Sequence, residues 1–214
     1  LSVRLPRTYV FPVPTRTSYH ILKDMHTFST NYPRYENSLN EERSFNYISR
    51  TLEEENIDFR RTGLGNFENF HSFSSIIEAE FSGNSRNDLY LVFPVNHPLE
   101  ASREESGAAG LALALELCRS LSETTPPTNV HILFMGAEYG RTENYQLGTR
   151  AFLETYYTDT PSQVVYFSIP SEQFHLDLRT SGTGNVSPAW FVQFTSDLLM
   201  NKAVPFKFST IRFN

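Results

Sequence analysis

The sequence predicts the α/β fold class, as a three-layer α/β/α domain built on a mixed, mostly parallel sheet. Two observations lead to this prediction. Three continuous apolar runs have the character of strands buried on both faces, and helical patterns occur between them. A chain that alternates strands and helices in this way is typical of a sheet with helices on both sides. The runs are LYLVFPV (Leu89–Val95), NVHILFMGA (Asn129–Ala137) and QVVYFSI (Gln163–Ile169).

The N-terminal segment is expected to be an extended arm. It contains Pro6, Pro12 and Pro14, and proline is poorly tolerated in a helix interior. We therefore expect an arm over residues 1–30, followed by a single domain over residues 31–214.

A helix is predicted directly after the arm. Ser38 and Glu41 have the spacing of a capping box, which satisfies backbone N–H groups at the start of a helix. The apolar stripe of this helix is Phe45, Ile48 and Leu52.

Local patterns predict the remaining elements. GLGN (Gly63–Asn66) predicts a turn, and SIIEAEF (Ser75–Phe81) alternates in polarity, as expected for a strand with one wet face. From about Glu105 to Leu121 a helix is apolar nearly all round, so we expect it to be sandwiched inside the core. Ser187 and Pro188 predict the start of another helix, and VPFKFSTIRF predicts a last strand.

Composition and charge narrow the function classes. Hydrophobic residues make up 39% of the 214 residues, with 18 Phe and 11 Tyr, which is enough for a packed core. The net charge of −6 argues against nucleic-acid binding, which needs a basic face. No stretch is long and apolar enough to predict a transmembrane segment. The single cysteine, Cys118, excludes an internal disulfide and a cysteine-rich zinc site, and its apolar helix favours a buried, inert thiol.

Polar residues follow the carboxyl ends of the three buried strands. Ligands of open α/β sheets bind at such strand ends, and a histidine with several carboxylates is a ligand set suited to a metal ion. Ordinary loop residues with no common role are an equally simple interpretation. The residues expected at this edge are His97, Glu100, Arg103, Glu104, Glu105, Glu138 and Glu172.

Four segments, in order, resemble the zinc aminopeptidases of metallopeptidase family 28. PRYENSLNEERSFNYISRTLEEENIDF resembles the first helix of that family, and LYLVFPVNHP resembles its His-x-Asp strand. REESGAAGLALALELCRSL resembles the Asp-Asn-x-Ser-Gly loop with its helix, and VHILFMGAEYG with LGTRAF resembles the Glu-Glu strand and the Gly-Ser-x-x-Phe segment. The superfamily also includes glutaminyl cyclases and non-catalytic relatives such as nicastrin, so the resemblance implies the zinc-exopeptidase fold.

The resemblance implies that most of the family's zinc ligands are replaced in this chain. His97 and Glu138 match ligand positions, whereas Leu99, Arg103 and Pro170 stand where the family has aspartates. Two zinc ions beside a guanidinium would be repelled at close range. The family's last strand, last helix and final histidine have no counterpart before the end of the sequence. We therefore expect a degenerate member, and three alternatives stay open for the missing elements: a fragment, a shortened variant, or half of an assembly that completes its sheet with another chain.

Two further interpretations concern the same site. Ala137 stands at the position of the general base, so no proton acceptor is expected there. We expect Arg103 to take the place of the cation by pairing with Glu138, since a guanidinium can bind carboxylates bidentately. In the alternative, shifted carboxylates build one metal site, and the residues that can stand in as ligands are Glu100, Glu104 and Glu105.

These residues lead to one main functional hypothesis and two alternatives. The main hypothesis is a non-catalytic peptidase-like domain that binds a peptide or protein, or acts as a scaffold in a complex, without a cofactor. The alternatives are a zinc aminopeptidase with displaced ligands and a glutaminyl-cyclase-like enzyme. We further expect an exported protein. The segment YGRTENYQLG (Tyr139–Gly148), longer than its counterpart in the family, is either a binding loop or a plain surface excursion.

Overall fold

A computed structural model of the chain describes residues 15–85, 87–140, 146–155, 162–167, 176–179, 193, 195–197, 200 and 206–209. The chain divides into two compact units, one over Pro14–Ser171 and one that combines Leu1–Val13 with Glu172–Asn214. The expected single domain over residues 31–214 stays a prediction, as does the extended arm for the residues before Thr15.

The first unit carries the features of an α/β fold. Its helices are α1 (Thr15–Thr30), α2 (Leu39–Glu54), α3 (Ala108–Ser122) and α4 (Leu147–Thr155). Its strands are β1 (Phe59–Phe67), β2 (Phe70–Phe81), β3 (Asp88–Pro94), β4 (Asn129–Met135) and β5 (Ser162–Tyr166). Strands β2, β3 and β4 and helices α2 and α3 confirm the predicted elements, and β5 forms at the predicted apolar run. The prediction that β5 is buried on both faces is wrong, because it lies at the edge of the described sheet and Val164 is 56% exposed. No helix in the described ranges is both long and apolar enough to cross a membrane.

In the second unit, β6 (Leu176–Arg179) pairs in parallel with β7 (Phe206–Ser209), and β7 lies within the strand predicted at VPFKFSTIRF. The helix predicted to start at Ser187 and Pro188 begins outside the described residues.

The sheet of the first unit is mixed, with strand order β1-β2-β4-β3-β5. β1, β2 and β4 pair antiparallel, whereas β3 pairs in parallel with both β4 and β5. Strands β3, β4 and β5 therefore end at the same edge, which is where α/β sheets bind ligands.

Helices cover both faces of this sheet, as the sequence predicts. One face packs against α1, α2 and α3 through Phe28, Ile48 and Leu115, which are at most 1% exposed. The other face carries a smaller cluster that includes Phe152 of α4. Helix α3 packs against α1 as well as the sheet, which explains why it is apolar nearly all round. Cys118 is fully buried on α3, and burial raises the pKa of its thiol, as expected for an inert cysteine.

Residues 15–30 form a helix, so the prediction of an extended arm is wrong for this part of the chain. The three prolines precede Thr15, and none lies inside the helix. Asp24 and Phe28, which are both fully buried, lie one helical turn apart on the face toward the core. Asp24 accepts hydrogen bonds from Tyr47 of α2 (2.6 Å) and Arg119 of α3 (2.9 Å), which tie the three helices together.

The predicted turn at Gly63–Asn66 is also wrong, because β1 runs through these residues. The register shifts between Gly63 and Gly65, where Gly65 takes φ +60 in a β-bulge. The chain reverses two residues later, through a turn at Glu68 and Asn69 that joins β1 to β2.

Arg34 is a buried cation that connects three parts of the first unit. Its side chain is fully buried, and its guanidinium donates to Phe28 O at the end of α1 (2.5 Å), to Val95 O after β3 (2.8 Å) and to Ser106 O before α3. The pKa of Arg34 is lowered to about 10, because the effect of burial is larger than the opposing effect of the negative charge of Glu41. The guanidinium therefore stays charged at neutral pH.

We expect the substitution Arg34→Lys to destabilise the first unit by about 3 kcal/mol, because an ammonium cannot reach three carbonyls and leaves buried acceptors unpaired. Urea unfolding followed by circular dichroism measures this change. Arg43→Lys, on the exposed side of α2, is the matched control and should stay within about 0.5 kcal/mol of the wild type. Equal midpoints for the two variants would contradict the assigned role of Arg34.

Candidate functional site

A cavity of about 350 Å³ lies at the carboxyl ends of β3 and β5, beside the start of α3. Phe93 and Phe167 form part of its wall and stack in parallel, with ring centroids 4.6 Å apart. His97, Glu100 and Glu105 also line it. The structure thus brings three of the predicted strand-end residues to one cavity, which combines an apolar wall with polar and acidic groups.

His97 uses both ring nitrogens for hydrogen bonds to the backbone. Its Nε2 accepts from the backbone N–H of Arg34 (2.9 Å), so Nδ1 carries the proton and donates to Pro98 O (2.8 Å). The backbone N–H of His97 in turn donates to Arg34 O (3.2 Å). Burial lowers the pKa of His97, and the positive charge of Arg34 lowers it further. A neutral, doubly bonded imidazole of this kind joins two loops and has no free lone pair for a metal.

Two tyrosines complete the surroundings of His97. Tyr32 stacks on the imidazole with centroids 5.1 Å apart, and Tyr35 meets it edge-on at 5.2 Å. The Tyr32 hydroxyl donates to Ala101 O (3.0 Å) and the Tyr35 hydroxyl to Leu99 O (3.4 Å). The segment before α2 therefore holds the loop that follows β3 in place.

Glu138 is fully buried after β4, and its carboxylate is bound by protein groups. Thr149 donates to it through its backbone N–H (2.7 Å) and its hydroxyl (2.9 Å), and the Tyr166 hydroxyl also donates (2.9 Å). Thr149 lies in the first turn of α4, where a helix favours negative charge. Burial raises the pKa of Glu138, whereas these hydrogen bonds lower it.

Close packing of glycines brings α4 to Glu138. A Cβ on Gly148 would lie 2.1 Å from Gly136 O, so only glycine allows the start of α4 to approach the end of β4 this closely. Asn96 fixes the same segment, because its Oδ1 accepts from Glu138 N (2.9 Å) and its Nδ2 donates to Tyr139 O (3.0 Å).

Glu41 is a buried carboxyl group beside Ala137. Its Oε1 accepts from the Ser74 hydroxyl (2.8 Å) and from Ala137 N (3.4 Å), and its Oε2 accepts from Asn37 N (2.8 Å). Burial raises the pKa of Glu41 to about 7. Ala137 itself is fully buried, with φ +53. The predicted capping box is confirmed at Ser38, whose hydroxyl accepts from Glu41 N. The Glu41 carboxylate accepts from the backbone N–H of Asn37, one residue before the N-cap.

Arg103 does not pair with Glu138, so the predicted replacement of the cation by Arg103 is wrong. Arg103 is exposed, and its guanidinium lies over the Tyr32 ring, 5.7 Å from the centroid. Similarity along the sequence places Arg103 near the site, but the loop before α3 directs its side chain to the surface. The buried guanidinium at this edge belongs instead to Arg34.

The remaining predicted site residues lie on the surface or outside the described part of the chain. Leu99, Glu100 and Glu104 are exposed. Glu105 is exposed as well and forms a reciprocal pair with Ser102, in which each side chain accepts from the other's backbone N–H. Pro170 and Glu172 lie outside the described residues.

The donors present do not fit a zinc ion. The ring nitrogens of His97 and the carboxylate oxygens of Glu138 already have protein partners, and zinc sites need at least three free ligands. Within the described ranges, no group of three histidines, cysteines or carboxylates is arranged to hold a metal. The stand-in carboxylates do not supply the missing ligands. Glu100 and Glu105 line the cavity, whereas Glu104 does not, and the three are not arranged as such a group.

The residues that organise the site are not predicted from the sequence. Arg34 and Asn96 carry no motif, and Glu41 gave a signal only for the start of a helix. Thr149 lies in the segment similar to Gly-Ser-x-x-Phe, which is the one feature that pointed to it.

Solved structures share the fold of this chain. A putative zinc-dependent exopeptidase from Bacteroides vulgatus has a TM-score of 0.69 and 14% identity, and the match covers 96% of this chain and 83% of that one. Glutaminyl cyclase from Porphyromonas gingivalis has a TM-score of 0.70 and 11% identity, over 91% of this chain and 76% of that one. A leucine aminopeptidase precursor from Bacteroides thetaiotaomicron has a TM-score of 0.66 and 14% identity, over 99% and 80%.

No protein-family model and no curated protein sequence matches the chain. At these identities the structural matches show the fold alone. The chain therefore has the α/β fold of zinc-dependent exopeptidases and glutaminyl cyclases, as the sequence resemblance predicts.

Glu41 gives the protein a specific pH dependence. Its pKa in the folded state, about 7, lies above the ordinary glutamate value of 4.5, because burial disfavours the charged form. Its contribution to stability is therefore complete below pH 4.5 and is lost as the pH rises through about 7. We expect Glu41 to lower the free energy of unfolding by about 3 kcal/mol between acidic and mildly alkaline pH.

Glu41→Gln, which cannot ionise, should lose less stability than the wild type over that pH range, as measured by urea unfolding at several pH values. His131 and Glu138, whose pKa values are also raised, are present in both proteins, so their effects cancel. Glu53→Gln on the exposed side of α2 is the control and should follow the wild type. Parallel pH profiles for Glu41→Gln and the wild type would show that Glu41 titrates normally.

Proposed function

We propose that the chain is a non-catalytic, peptidase-like domain that binds a peptide or protein at its strand-end cavity. The observation that carries the proposal is the state of His97. Its two ring nitrogens bond to the backbone of Arg34 and Pro98, so the residue at the family's histidine position acts as a structural connector. The fold neighbours are named as zinc-dependent exopeptidases and cyclases. This chain shares their architecture, but its described residues do not provide a donor set that fits zinc.

Ala137 supports the same proposal. General-base catalysis needs a side chain that accepts a proton close to the substrate, and Ala137 has no such group. Glu41, whose carboxylate accepts a hydrogen bond from Ala137 N, is 2% exposed and also bonds to Ser74 and Asn37. Its carboxylate serves to join α2, β2 and the end of β4.

The edge of the sheet offers a second contact for a protein partner. Among the described residues, β5 pairs with β3 and with no other strand, and Val164 on β5 is 56% exposed. An edge strand can pair with an added strand from another chain.

We also propose that the protein is exported, since one fold neighbour is named a precursor.

The proposal is tested by metal content and enzymatic activity. We expect no stoichiometric zinc in calorimetric titration of the purified chain, and no chelator-sensitive cleavage of aminoacyl reporter substrates or cyclisation of N-terminal glutamine. A zinc aminopeptidase assayed in parallel is the positive control. One or two zinc ions per chain, together with hydrolysis or cyclisation abolished by chelator, would overturn the proposal.

A further inference from the structure

The start of α3 borders the cavity without a capping side chain. Its N-cap is Gly107, which has φ +75 and makes no side-chain capping bond. A glycine at this position leaves the N–H groups of the first helical turn without an acceptor from the cap residue. A Cβ added to Gly107 would meet nothing within 4 Å. The space in front of the first turn of α3 is therefore open, and Gly107 and Gly110 line the cavity.

Ser106 provides a second, independent observation. It lines the same cavity and is 1% exposed, yet its buried Oγ has no hydrogen-bond partner among the described residues. Buried hydroxyl groups nearly always have a partner, because an unpaired one loses its bonds to water without replacement. The unpaired Ser106 hydroxyl beside an uncapped helix start is therefore available to donate a hydrogen bond to a ligand atom.

The charge behind this position favours an anion. The Arg34 guanidinium donates to Ser106 O, and the three hydrogen bonds of its guanidinium all go to backbone carbonyls and not to a carboxylate. Its positive charge, together with the dipole of the 15-residue helix α3, creates a positive potential at the start of that helix.

The remaining lining residues of the cavity indicate which groups, besides an anion, a ligand would carry. Phe93, Leu111 and Phe167 give it an apolar wall, and its volume of about 350 Å³ suits a single large residue. Glu100 and Glu105 line it too and are exposed, so they oppose negative charge near themselves and tolerate an ammonium or amide N–H. A ligand with one carboxylate at the helix start and an apolar side chain satisfies both parts.

We propose that this cavity binds an α-carboxylate that carries an apolar or aromatic side chain, with the carboxylate at Ser106 and the first turn of α3. The carboxylate belongs either to the C-terminus of a peptide or to a free amino acid. The proposal rests on the proposed non-catalytic function, since it uses the cavity for binding without a metal. It adds the chemical class of the ligand and the residues that recognise it.

The test compares N-acetyl-phenylalanine with N-acetyl-phenylalaninamide, which has the same shape without the negative charge. Calorimetric titrations of the whole chain in the presence of chelator should show the acid binding at least about tenfold more tightly than the amide, because hydrogen bonds to a charged group are the stronger ones. Equal affinities, or no binding of the acid, would overturn the proposal.

Two serine variants locate the carboxylate. Ser106→Ala should weaken binding of the acid about tenfold and leave binding of the amide unchanged. Ser49→Ala is the matched control, because Ser49 Oγ is also buried and unpaired but lies on α2 and not at the cavity. Unchanged binding of the acid by a folded Ser106→Ala protein would overturn the proposed position. The comparison of acid and amide on the wild type decides the proposal even if that variant fails to fold.

Two further comparisons distinguish a free amino acid from a peptide C-terminus, and distinguish failure of this inference from failure of the proposed function. Tighter binding of free phenylalanine than of its N-acetyl form identifies an amino acid, and the reverse order identifies a peptide C-terminus. Failure of the acid to bind to a zinc-free, inactive protein overturns this inference alone. Stoichiometric zinc with chelator-sensitive activity overturns the proposed function and this inference together.

Discussion

The hydrogen bonds of one buried guanidinium determine the geometry of the strand ends. Arg34 joins the end of α1, the end of β3 and the loop before α3 by donating to a carbonyl in each. A buried charge is stable only when its hydrogen-bonding capacity is satisfied, so these three backbone segments must keep their relative positions. The same residue fixes His97 through two backbone contacts. The shape of the cavity thus depends on a side chain that does not line it.

Polar groups at this edge fall into two sets. His97, Glu138 and Glu41 are buried and have protein partners for their hydrogen-bonding atoms. Ser106 and the start of α3 border the cavity, where the Ser106 hydroxyl has no partner among the described residues and Gly107 provides no side-chain cap. A satisfied group stabilises the fold and contributes little to recognition, whereas an unsatisfied one gains free energy when a ligand pairs with it. Recognition at this site therefore depends on the start of α3.

The sequence predicted the elements whose signals are local. The apolar runs of β3, β4 and β5 and the apolar stripe of α2 are visible within a window of about ten residues. The helix α1 was not predicted, because the three prolines before it indicated an extended segment. Arg34 and Glu41 look like surface residues because their partners lie far along the chain, at Val95, Ser106 and Ala137. Similarity to a family placed Arg103 near the site, but it carried no information on the direction of the side chain.

The backbone at Ala137 limits what substitutions at this position can achieve. Its φ of +53 lies in the left-handed region, and it has no exposed surface. A glutamate here would hold a conformation that costs about 1–2 kcal/mol for an L-residue, with a carboxylate pressed into a space that water does not reach. A single substitution of Ala137 by glutamate therefore adds both backbone strain and the free-energy cost of burying a carboxyl group.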